Sequence, residues 1–546
     1  MKRIILFVLG LALAFSASAQ TWQDALLFSE NNYSGSARGV GMGNALSAVG
    51  GDVGSLVFNP AGSAVAPYSQ FVITPGFTFS VANVKASEGM SSSPLMGDPT
   101  QTAYGRMKLP NLGLILSMDT GRRSGLKRTS FGIVFNSTNN FTGRFNAVGP
   151  NDDNSYAASL ASSADGYAES VLANENWYYS GDPSRMPAWV DMAGFRGGMF
   201  NAVNGMNGAY VALTEIMDAD GNFRLAAPIY QRYGQQTYGS KHDAILNFAL
   251  NFSDRFYIGA NVGVSVLRYY MNEYWYEAPQ DPDQFPTIKY SDGSSARFES
   301  LRMKHNYRLD GSGIYLKVGA LWRPVAGLRL AAAVQTPTIL NLTERYGYTA
   351  EVNLSGKYVG PASSPEDQWI YALRVPMRAN AGMAYTFGNL GMVSVDYEYT
   401  NYASALFKSR TEDNEYGVGD FYNVNQDIRS CLTAAHQIRV GTEIKATEQL
   451  SLRAGYNLTT GAQLCYERLF KHSASVGFGV NWGGIFLDAA LRARFIPKEY
   501  FIPYNYYYAP DASKYYYKEV DDGILTPEVV VKSTLFDALV TLGWRF

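Results

Sequence analysis

Along many segments of this chain, apolar residues alternate with small, polar or charged residues. Within residues 244–266 every second residue is apolar across a break at 253–255, and most residues between them are asparagine, glycine or serine. Successive side chains of a β-strand point to opposite faces, so this segment predicts a hairpin with one apolar face. The same pattern recurs in residues 314–334, 383–399, 438–456 and 474–495.

Charged side chains within these segments all lie on the parity opposite to the apolar residues. They are Lys317, Arg329, Arg378, Asp396, Glu398, Arg439, Glu443, Arg453, Asp488, Arg492 and Arg494. On the lipid face of a transmembrane barrel, an arginine or lysine at the bilayer midplane costs about 2–4 kcal/mol, which explains the segregation. A soluble β-sandwich produces the same alternation, however, so the period alone leaves both classes open.

The connections and the chain end favour the barrel. Short turns near residues 254, 325, 389, 447 and 483 alternate with long loops at about 141–240, 271–305, 341–370, 403–434 and 496–532, as in outer-membrane barrels. Adding strands at 68–82, 108–119, 128–140 and 532–546 gives fourteen, and the last one ends at Phe546. A final strand that closes the sheet removes both edges, as lipid requires. We therefore predict an all-β fold, a 14-stranded antiparallel transmembrane β-barrel over residues 67–546.

The N-terminal residues and the composition fit an exported membrane protein. Residues 1–19 combine Lys2 and Arg3, an apolar stretch and Ala17-Ser18-Ala19, which indicates a signal peptide. With 45 basic and 47 acidic residues the chain is nearly neutral, which argues against a nucleic-acid partner. We expect a location in the outer membrane of a Gram-negative bacterium, with outer-membrane lipid as a partner.

The two cysteines flank one predicted hairpin. Cys431 and Cys465 lie at similar distances on either side of its turn near Thr447, so both belong to the same rim of the barrel. A disulfide between two extracellular loops is plausible in an oxidising compartment. Free thiols are the alternative, since loop residues need not come within bonding distance.

The glycine-rich stretch SARGVGMGNALSAVGGDVGSLVFNPAGSA at 36–64 precedes the first strand. Its glycines are spaced as G-x-G-x-G and precede no βαβ unit, so it does not fit a dinucleotide-binding loop. It is also too apolar for a solvated linker, with Leu46, Val53, Leu56 and Phe58 among its residues. A fourteen-stranded barrel is wide enough to need a filled lumen, so we predict that residues 20–66 form an N-terminal hatch, or plug, inside it.

The residues at 36–45 followed by Asn59-Pro60-Ala61 resemble the hatch signature of the FadL/TodX family of outer-membrane transport proteins for hydrophobic compounds. Leu109-Pro110-Asn111-Leu112-Gly113 and Val395-Asp396-Tyr397-Glu398-Tyr399 are similar to strand motifs of that family. The resemblance assigns Gly39, Gly41, Gly43, Asn59, Pro60 and Ala61 to the hatch. By analogy it places a wall kink in the third strand, where Gly132 is the candidate.

The resemblance also implies a function and partners. It implies hatch-gated uptake of hydrophobic small molecules such as long-chain fatty acids, with lateral exit through the wall and without a cofactor. It further implies a monomer with periplasmic termini, inserted by the barrel-assembly machinery through Phe546.

The sequence leaves two other functions open. A role as a protein-secretion shuttle would use the long loops, and a haem or ligand receptor could use the histidines. His242, His305, His436 and His472 have no spacing typical of metal ligands, so no metal site is predicted. The chain contains no G-x-S-x-G motif, and we do not expect an enzyme.

Overall fold

The computed structural model describes residues 20–87, 96–174, 186–203, 206–218, 221–289, 293–409, 421–465, 470–504 and 527–546. The expected signal peptide at 1–19 and parts of the expected loops lie outside these ranges. No helix of the described part is long and apolar enough to cross a bilayer.

Antiparallel strands form a closed barrel, as the loop lengths, the strand number and the final strand predict. The barrel wall is built from β1 (Gln70–Ala86), β2 (Thr100–Asp119), β3 (Leu126–Asn140), β4 (Gly143–Asn151), β9 (Ile229–Phe252), β10 (Phe256–Pro279), β13 (Phe298–Trp322), β14 (Leu328–Gln335), β15 (Thr338–Leu354), β17 (Asp367–Val375), β18 (Arg378–Thr386), β19 (Gly391–Asn401), β21 (Ala434–Lys445), β22 (Leu450–Thr459), β23 (Lys471–Trp482), β24 (Ile485–Phe495) and β26 (Val529–Arg545). The first strand pairs with the last, from Gln70 with Arg545 to Ala86 with Val529, so the described sheet closes on itself.

These strand segments occupy fourteen positions around the barrel wall, because some positions contain two segments one after the other. β14 and β15 follow one another along β13 and are separated by Pro337, while β17 and β18 are separated by Pro376. Proline lacks the amide hydrogen that a sheet ladder needs, so each proline interrupts its strand without ending the wall position.

Several strands extend beyond the boundaries expected from the sequence. The loops expected at about 271–305 and 341–370 lose much of their length, because β10 continues to Pro279, β13 begins at Phe298 and β15 continues to Leu354. Here the side chains change from apolar to polar and aromatic, so the alternation used for the prediction fades although the backbone pairing continues.

The outward face carries an apolar band. On β10 and β13 its members include Val262, Val264, Ile314 and Leu316, which are 41%, 41%, 61% and 54% exposed. At the level of this band, charged residues of the wall point into the lumen, where Lys317 of β13 and Arg439 of β21 are almost fully buried. The arrangement is that of a transmembrane barrel with an apolar exterior and a polar interior.

Smaller elements fill the two ends of the lumen. The N-terminal segment forms α1 (Trp22–Ser29), α2 (Ala37–Gly41) and the 3₁₀ turns Val53–Val57 and Pro60–Val65. The long loop after β4 forms α3 (Tyr156–Ala164), α4 (Glu169–Leu172), α5 (Trp189–Arg196), β5 (Phe200–Ala202), β6 (Tyr210–Ala212), β7 (Glu215–Met217) and β8 (Phe223–Leu225). Other loops form the 3₁₀ turns Pro282–Gln284 and Tyr402–Ser404, β11 (Ile288–Lys289), β12 (Ser295–Ala296), β16 (Lys357–Ser363), β20 (Leu406–Ser409), α6 (Tyr422–Cys431) and β25 (Glu499–Phe501).

Candidate functional site

The glycine run of the N-terminal segment lies directly against glycines of the barrel wall. A β-carbon added to Gly455 would lie 2.0 Å from the backbone nitrogen of Gly43, and one added to Gly441 would lie 2.2 Å from the carbonyl oxygen of Met42. Gly41 approaches Gly477 in the same way, with a constructed contact of 3.4 Å. Only residues without side chains allow two backbones to approach so closely. The sequence identified the glycines of the hatch but missed those of the wall.

The remaining glycines of the run serve the hatch itself. Gly43 has φ of +63°, a left-handed conformation that glycine adopts without strain. Gly39 lies inside the hatch, where an added β-carbon would lie 2.8 Å from the side chain of Leu46. Both positions therefore require glycine for backbone geometry or close packing.

Asn59, Pro60 and Ala61 fix the second contact between hatch and wall. The Asn59 side-chain oxygen accepts a hydrogen bond from the Ala61 amide at 3.1 Å and caps the following 3₁₀ turn. Its amide nitrogen donates to the carbonyl of Ala320 in β13 at 3.0 Å and to that of Ser47 at 3.1 Å. Asn59 and Ala61 are completely buried. The same side chain thus joins two parts of the hatch to the wall.

Two glycines of the wall also lie against the Asn59-Pro60 turn. A β-carbon added to Gly319 would lie 2.2 Å from the Asn59 side-chain oxygen, and one added to Gly259 would lie 2.6 Å from the carbonyl carbon of Pro60. Gly259 and Gly319 pair with each other across β10 and β13. The inward face of these two strands is therefore shaped for the Asn59-Pro60 turn.

Luminal cations of the wall hydrogen-bond the backbone carbonyls of the N-terminal segment. The amine of Lys317 donates to Val57 at 2.6 Å, and the guanidinium of Arg329 donates to Val49 at 2.6 Å. The same role is filled by Arg492 on Tyr33, by Arg378 on Ser29 and by Lys241 on Phe28 and Glu30. Buried carbonyls need such partners. The inward charges predicted by parity therefore hold the plug in place.

An ion-pair network connects α2 to the opposite wall. Arg38 forms a bidentate pair with Glu443 at 2.8 and 3.1 Å. Glu443 also accepts from Arg453 at 2.6 Å, and Arg453 reaches Asp488 at 2.5 Å. The only partner contributed by the hatch to this described network is Arg38, so removing it would break this one contact with the wall without leaving Glu443 unpaired.

The third strand bends inward, and its backbone ladder with β2 ends there, leaving a seam that side chains bridge. Asn146 of β4 accepts a hydrogen bond from Thr100 at 2.5 Å and donates one to Thr102 at 3.2 Å. β2 and β3 pair from Asp119 with Arg128 up to Asn111 with Asn136, and the part of β2 at 100–110 has no backbone ladder with β3 or β4. Ser137, Thr138 and Asn139 are all buried, which breaks the alternation, and the register against β9 shifts there. The seam is closed above by an isolated bridge of Gly97 and Asp98 with Val148.

Gly132, the residue suggested for a kink, does not lie at this bend. It pairs regularly with Ile115 on one side and Asn247 on the other. Its missing side chain instead gives room to Leu56 of the hatch, 3.1 Å from the constructed β-carbon. The bend occurs further along the strand, in a run of small polar residues that no longer alternate.

The hatch is hydrogen-bonded to the bent part of β3. The backbone amide of Asn32 donates to the carbonyl of Thr138 at 2.7 Å, and that of Ser34 donates to Ser137 at 3.0 Å. The side chains of Asn32 and Asn139 are also bonded at 3.2 Å. A movement of residues 30–34 therefore acts directly on the strand that borders the seam.

An apolar chamber lies beside the bend and contains α1. Phe28 of α1 makes edge contacts with Phe141, just after β3, at 6.2 Å between ring centroids and with Tyr269 at 5.4 Å. Further buried members include Leu267, Leu309, Leu340, Leu342, Leu373, Phe407 and Ile428. The chamber, as named here, is this packed hydrophobic cluster inside the barrel, and the first helix of the chain forms part of it.

The described part of the long loop at about 141–240 caps the end of the lumen opposite the short turns. α3 and α5 pack with inward residues of β9, β13 and β15, including Tyr233, Met303 and Ala350. Asp191 of α5 is 2% exposed and accepts one hydrogen bond from Ser163 at 2.9 Å. Burial raises the pKa of this carboxyl to about 7. The cap therefore contains an acid that prefers to be protonated.

The disulfide suggested by the positions of the two cysteines on either side of one hairpin is present. Cys431 and Cys465 are joined, with their α-carbons 4.9 Å apart. The bond fixes the end of α6, whose Val424 and Ile428 are buried in the apolar chamber.

The histidines contact different neighbours. His305 bonds Glu273 at 2.8 Å, His472 bonds the Tyr456 hydroxyl at 2.5 Å, and His242 stacks on Phe135. Among the described residues, no three potential metal-ligating side chains come together.

No family model matches this chain, and no curated protein sequence matches it. Solved structures do. A FadL homologue of Pseudomonas aeruginosa superposes with a TM-score of 0.50 at 13% identity, covering 94% of this chain and 98% of that one. The toluene transporters TodX of P. putida and TbuX of Ralstonia pickettii give TM-scores of 0.42 and 0.43 at 12% identity, covering 93% and 94% of this chain and 98% of each of theirs. The first of these shows that the chain has the FadL-type fold, a closed fourteen-stranded transmembrane barrel, in agreement with the resemblance seen in its hatch motif.

Proposed function

We propose that this protein takes up hydrophobic small molecules across the outer membrane, with a lateral exit through its wall. The observation that carries the proposal is the inward bend of β3 at 137–139, which opens a seam next to an apolar chamber and is bonded to the hatch. A water-filled pore gives an apolar solute no favourable contacts, whereas a chamber lined by leucine and aromatic side chains does.

In this proposal the ligand occupies the space now held by α1. Phe28 offers Phe141 and Tyr269 the kind of contact that an aromatic ring or acyl chain would make. Displacement of α1 pulls on residues 30–34, which are bonded to Thr138 and Ser137. The pull on β3 widens the seam, and the ligand enters the lipid without crossing water.

The apolar lining of the chamber does not distinguish one apolar ligand from another. We propose long-chain fatty acids as the substrates because of charged residues nearby. Several buried cations lie near α1, among them Lys241 and Arg378. A carboxylate that replaced the backbone carbonyls now bonded to these cations would be stabilised by its charge. Neutral aromatic compounds would lack this interaction.

Uptake by whole cells tests the proposal. Asn140 in β3 donates to the hydroxyl of Thr78 in β1 at 3.0 Å. A disulfide between Asn140→Cys and Thr78→Cys would tie the bent strand to β1 and hold the seam. The matched control is Thr349→Cys with Ser363→Cys, whose hydroxyls are also 3.0 Å apart but lie away from the seam.

We expect cells with the reduced seam pair to accumulate labelled oleate and those with the oxidised pair to lose this uptake, while the control pair transports in both states. Transport that is unchanged by seam oxidation contradicts the lateral exit. Absence of uptake for oleate and toluene alike, together with a protein that co-purifies on the extracellular loops, would point instead to the secretion-shuttle alternative.

A further inference from the structure

A polar groove lies on the outer face of the barrel above the apolar band. Its volume is about 680 Å³, and it is lined mainly by outward-facing residues of β4, β9, β10 and β13, with Gln235 and Glu273 from the inward parity. The cationic members are Arg144, Arg232, Arg302 and Lys304. The mechanism proposed for transport uses the lumen and the seam, so it does not account for this exterior groove.

Most of the positive charge in the groove is available to a ligand. Lys304 pairs with Glu351 at 2.5 Å, whereas Arg144, Arg232 and Arg302 form no ion pair with any carboxylate among the described residues. The one acidic lining residue, Glu273, is bonded to His305 at 2.8 Å. The groove therefore has three arginines free to bind an anion.

Tyrosines and an amide shape the floor of the groove. The guanidinium of Arg302 lies over the ring of Tyr276 at 5.6 Å, and the hydroxyl of Tyr274 donates to Asn146 at 3.2 Å. An arginine stacked on an aromatic ring keeps its fork of donors directed outward. Exposed amides and tyrosine hydroxyls next to such cations suit the hydroxyl groups of a sugar.

The height of the groove indicates the kind of molecule. The apolar band on β10 ends at Val266, and the lining residue Asn272 lies six positions further along the strand, about 20 Å at the usual rise. Between them, Arg268 and Arg308 are 68% and 48% exposed at the upper border of the band. Both pair with Asp310 of β13, at 3.9 and 2.6 Å, so two exposed arginines face one carboxylate and a net positive charge remains below the groove.

We infer that this groove binds the phosphorylated saccharide headgroup of an outer-leaflet glycolipid, whose acyl chains lie on the apolar band below it. Guanidinium groups bind phosphates through two parallel hydrogen bonds, and basic pockets on membrane proteins select anionic headgroups. A phospholipid headgroup reaches the level of Arg268 and Arg308, whereas several linked sugars are needed to reach Asn272 and Arg302. The inference rests on the proposed outer-membrane location but not on transport.

Native mass spectrometry of the full-length protein in detergent tests the inference. The probe is rough-type lipopolysaccharide that carries a phosphorylated inner core. The same material after dephosphorylation, phosphatidylglycerol and inorganic phosphate serve as comparisons. The variant is Arg144→Gln with Arg302→Gln, and the matched control is Arg122→Gln with Arg123→Gln, which removes the same charge from an exposed turn at the other end of the barrel.

We expect the native protein and the control to retain one phosphorylated glycolipid and the groove variant to lose at least about tenfold in affinity, since a hydrogen bond to a charged group contributes roughly 1.5–3 kcal/mol. Equal retention of the dephosphorylated glycolipid, of phosphatidylglycerol or of inorganic phosphate alone would overturn the inference. Undiminished binding by a folded groove variant would do the same. None of these outcomes depends on oleate uptake, so the two proposals fail separately.

Discussion

The side-chain amide of Asn59 donates to the backbone carbonyl of Ala320 at 3.0 Å, although the two residues are 261 positions apart. Ala320 lies on β13, next to Gly319, whose missing side chain makes room for the same asparagine. This relationship joins the hatch to the wall through one buried side chain. Its strength should therefore control how often the hatch leaves its position.

Replacing Asn59 with alanine should loosen the hatch while the barrel still forms. The change removes the cap of the following turn, worth about 1 kcal/mol, and leaves the buried carbonyl of Ala320 without its side-chain donor, which costs roughly 1–3 kcal/mol. We expect a higher frequency of open events in planar bilayer recordings, by about tenfold or more. The control is Asn201→Ala, in an exposed strand of the long loop. An equal frequency of open events in both variants would argue against a gating role for Asn59.

Adding a methyl group to Gly455 should displace the glycine run of the hatch. A β-carbon there would lie 2.0 Å from the nitrogen of Gly43, closer than any real contact, and both partners are backbone. We expect Gly455→Ala to expose the hatch to trypsin while the barrel keeps its heat-modifiable migration in gels. Gly347→Ala, whose new methyl would meet its nearest neighbours at 3.4 Å, should remain protected. A protected hatch in both variants would show that the wall has room to adjust.

The loop lengths and the closing last strand distinguished a barrel from a sandwich. The alternation of residues predicted the strands themselves, because the lipid face and the lumen impose opposite demands on successive side chains. It was not sufficient at the ends of β10, β13 and β15, where water or the cap contacts both faces and polar residues occupy both parities. The hatch glycines were visible as a motif, whereas Gly441 and Gly455 were hidden among other small inward residues. Glycine on the polar parity of a barrel strand is the signal that could have revealed them.

The bend of β3 could not be located from the sequence for a related reason. Gly132 was the only glycine of its run, but a glycine in a strand also accommodates a neighbour, and here that neighbour is Leu56. The bend uses Ser137, Thr138 and Asn139, whose carbonyls and side chains bond residues of the hatch. The signal is a loss of alternation in small polar residues, and its meaning depends on a partner more than a hundred positions away.

Removing Arg38 and removing Glu443 should have different consequences. Arg38→Met leaves Glu443 paired with Arg453, so the wall keeps its ion pair and only the hatch loses a contact, at α2. Glu443→Ala leaves two arginines without their shared carboxylate, and breaking a buried pair this way costs about 3–5 kcal/mol. We expect urea unfolding in liposomes to detect the second change in the barrel. Chymotrypsin cleavage of the hatch should detect the first, because Arg38 is the only tryptic site in residues 20–66. Similar unfolding midpoints for both variants would contradict this division.

The cap formed by the long loop after β4 should become less stable as the pH rises. Burial raises the pKa of Asp191 to about 7, and its Oδ1 atom has no hydrogen-bond partner among the described residues. The folded cap therefore binds a proton that the unfolded cap releases above its ordinary pKa near 3.8. This contribution is fully present below pH 4 and is lost as the pH rises through about 7.

Hydrogen exchange of the amides in α3 and α5 measures this stability directly. We expect protection against opening, after correction for the intrinsic rate, to fall between pH 5 and pH 8 by an amount on the order of a few kcal/mol. Asp191→Asn keeps the bond to Ser163 and removes the charge, so its protection should stay constant over that range and exceed that of the native protein at pH 8. A native cap whose protection does not change with pH would show that Asp191 is already stabilised as a carboxylate.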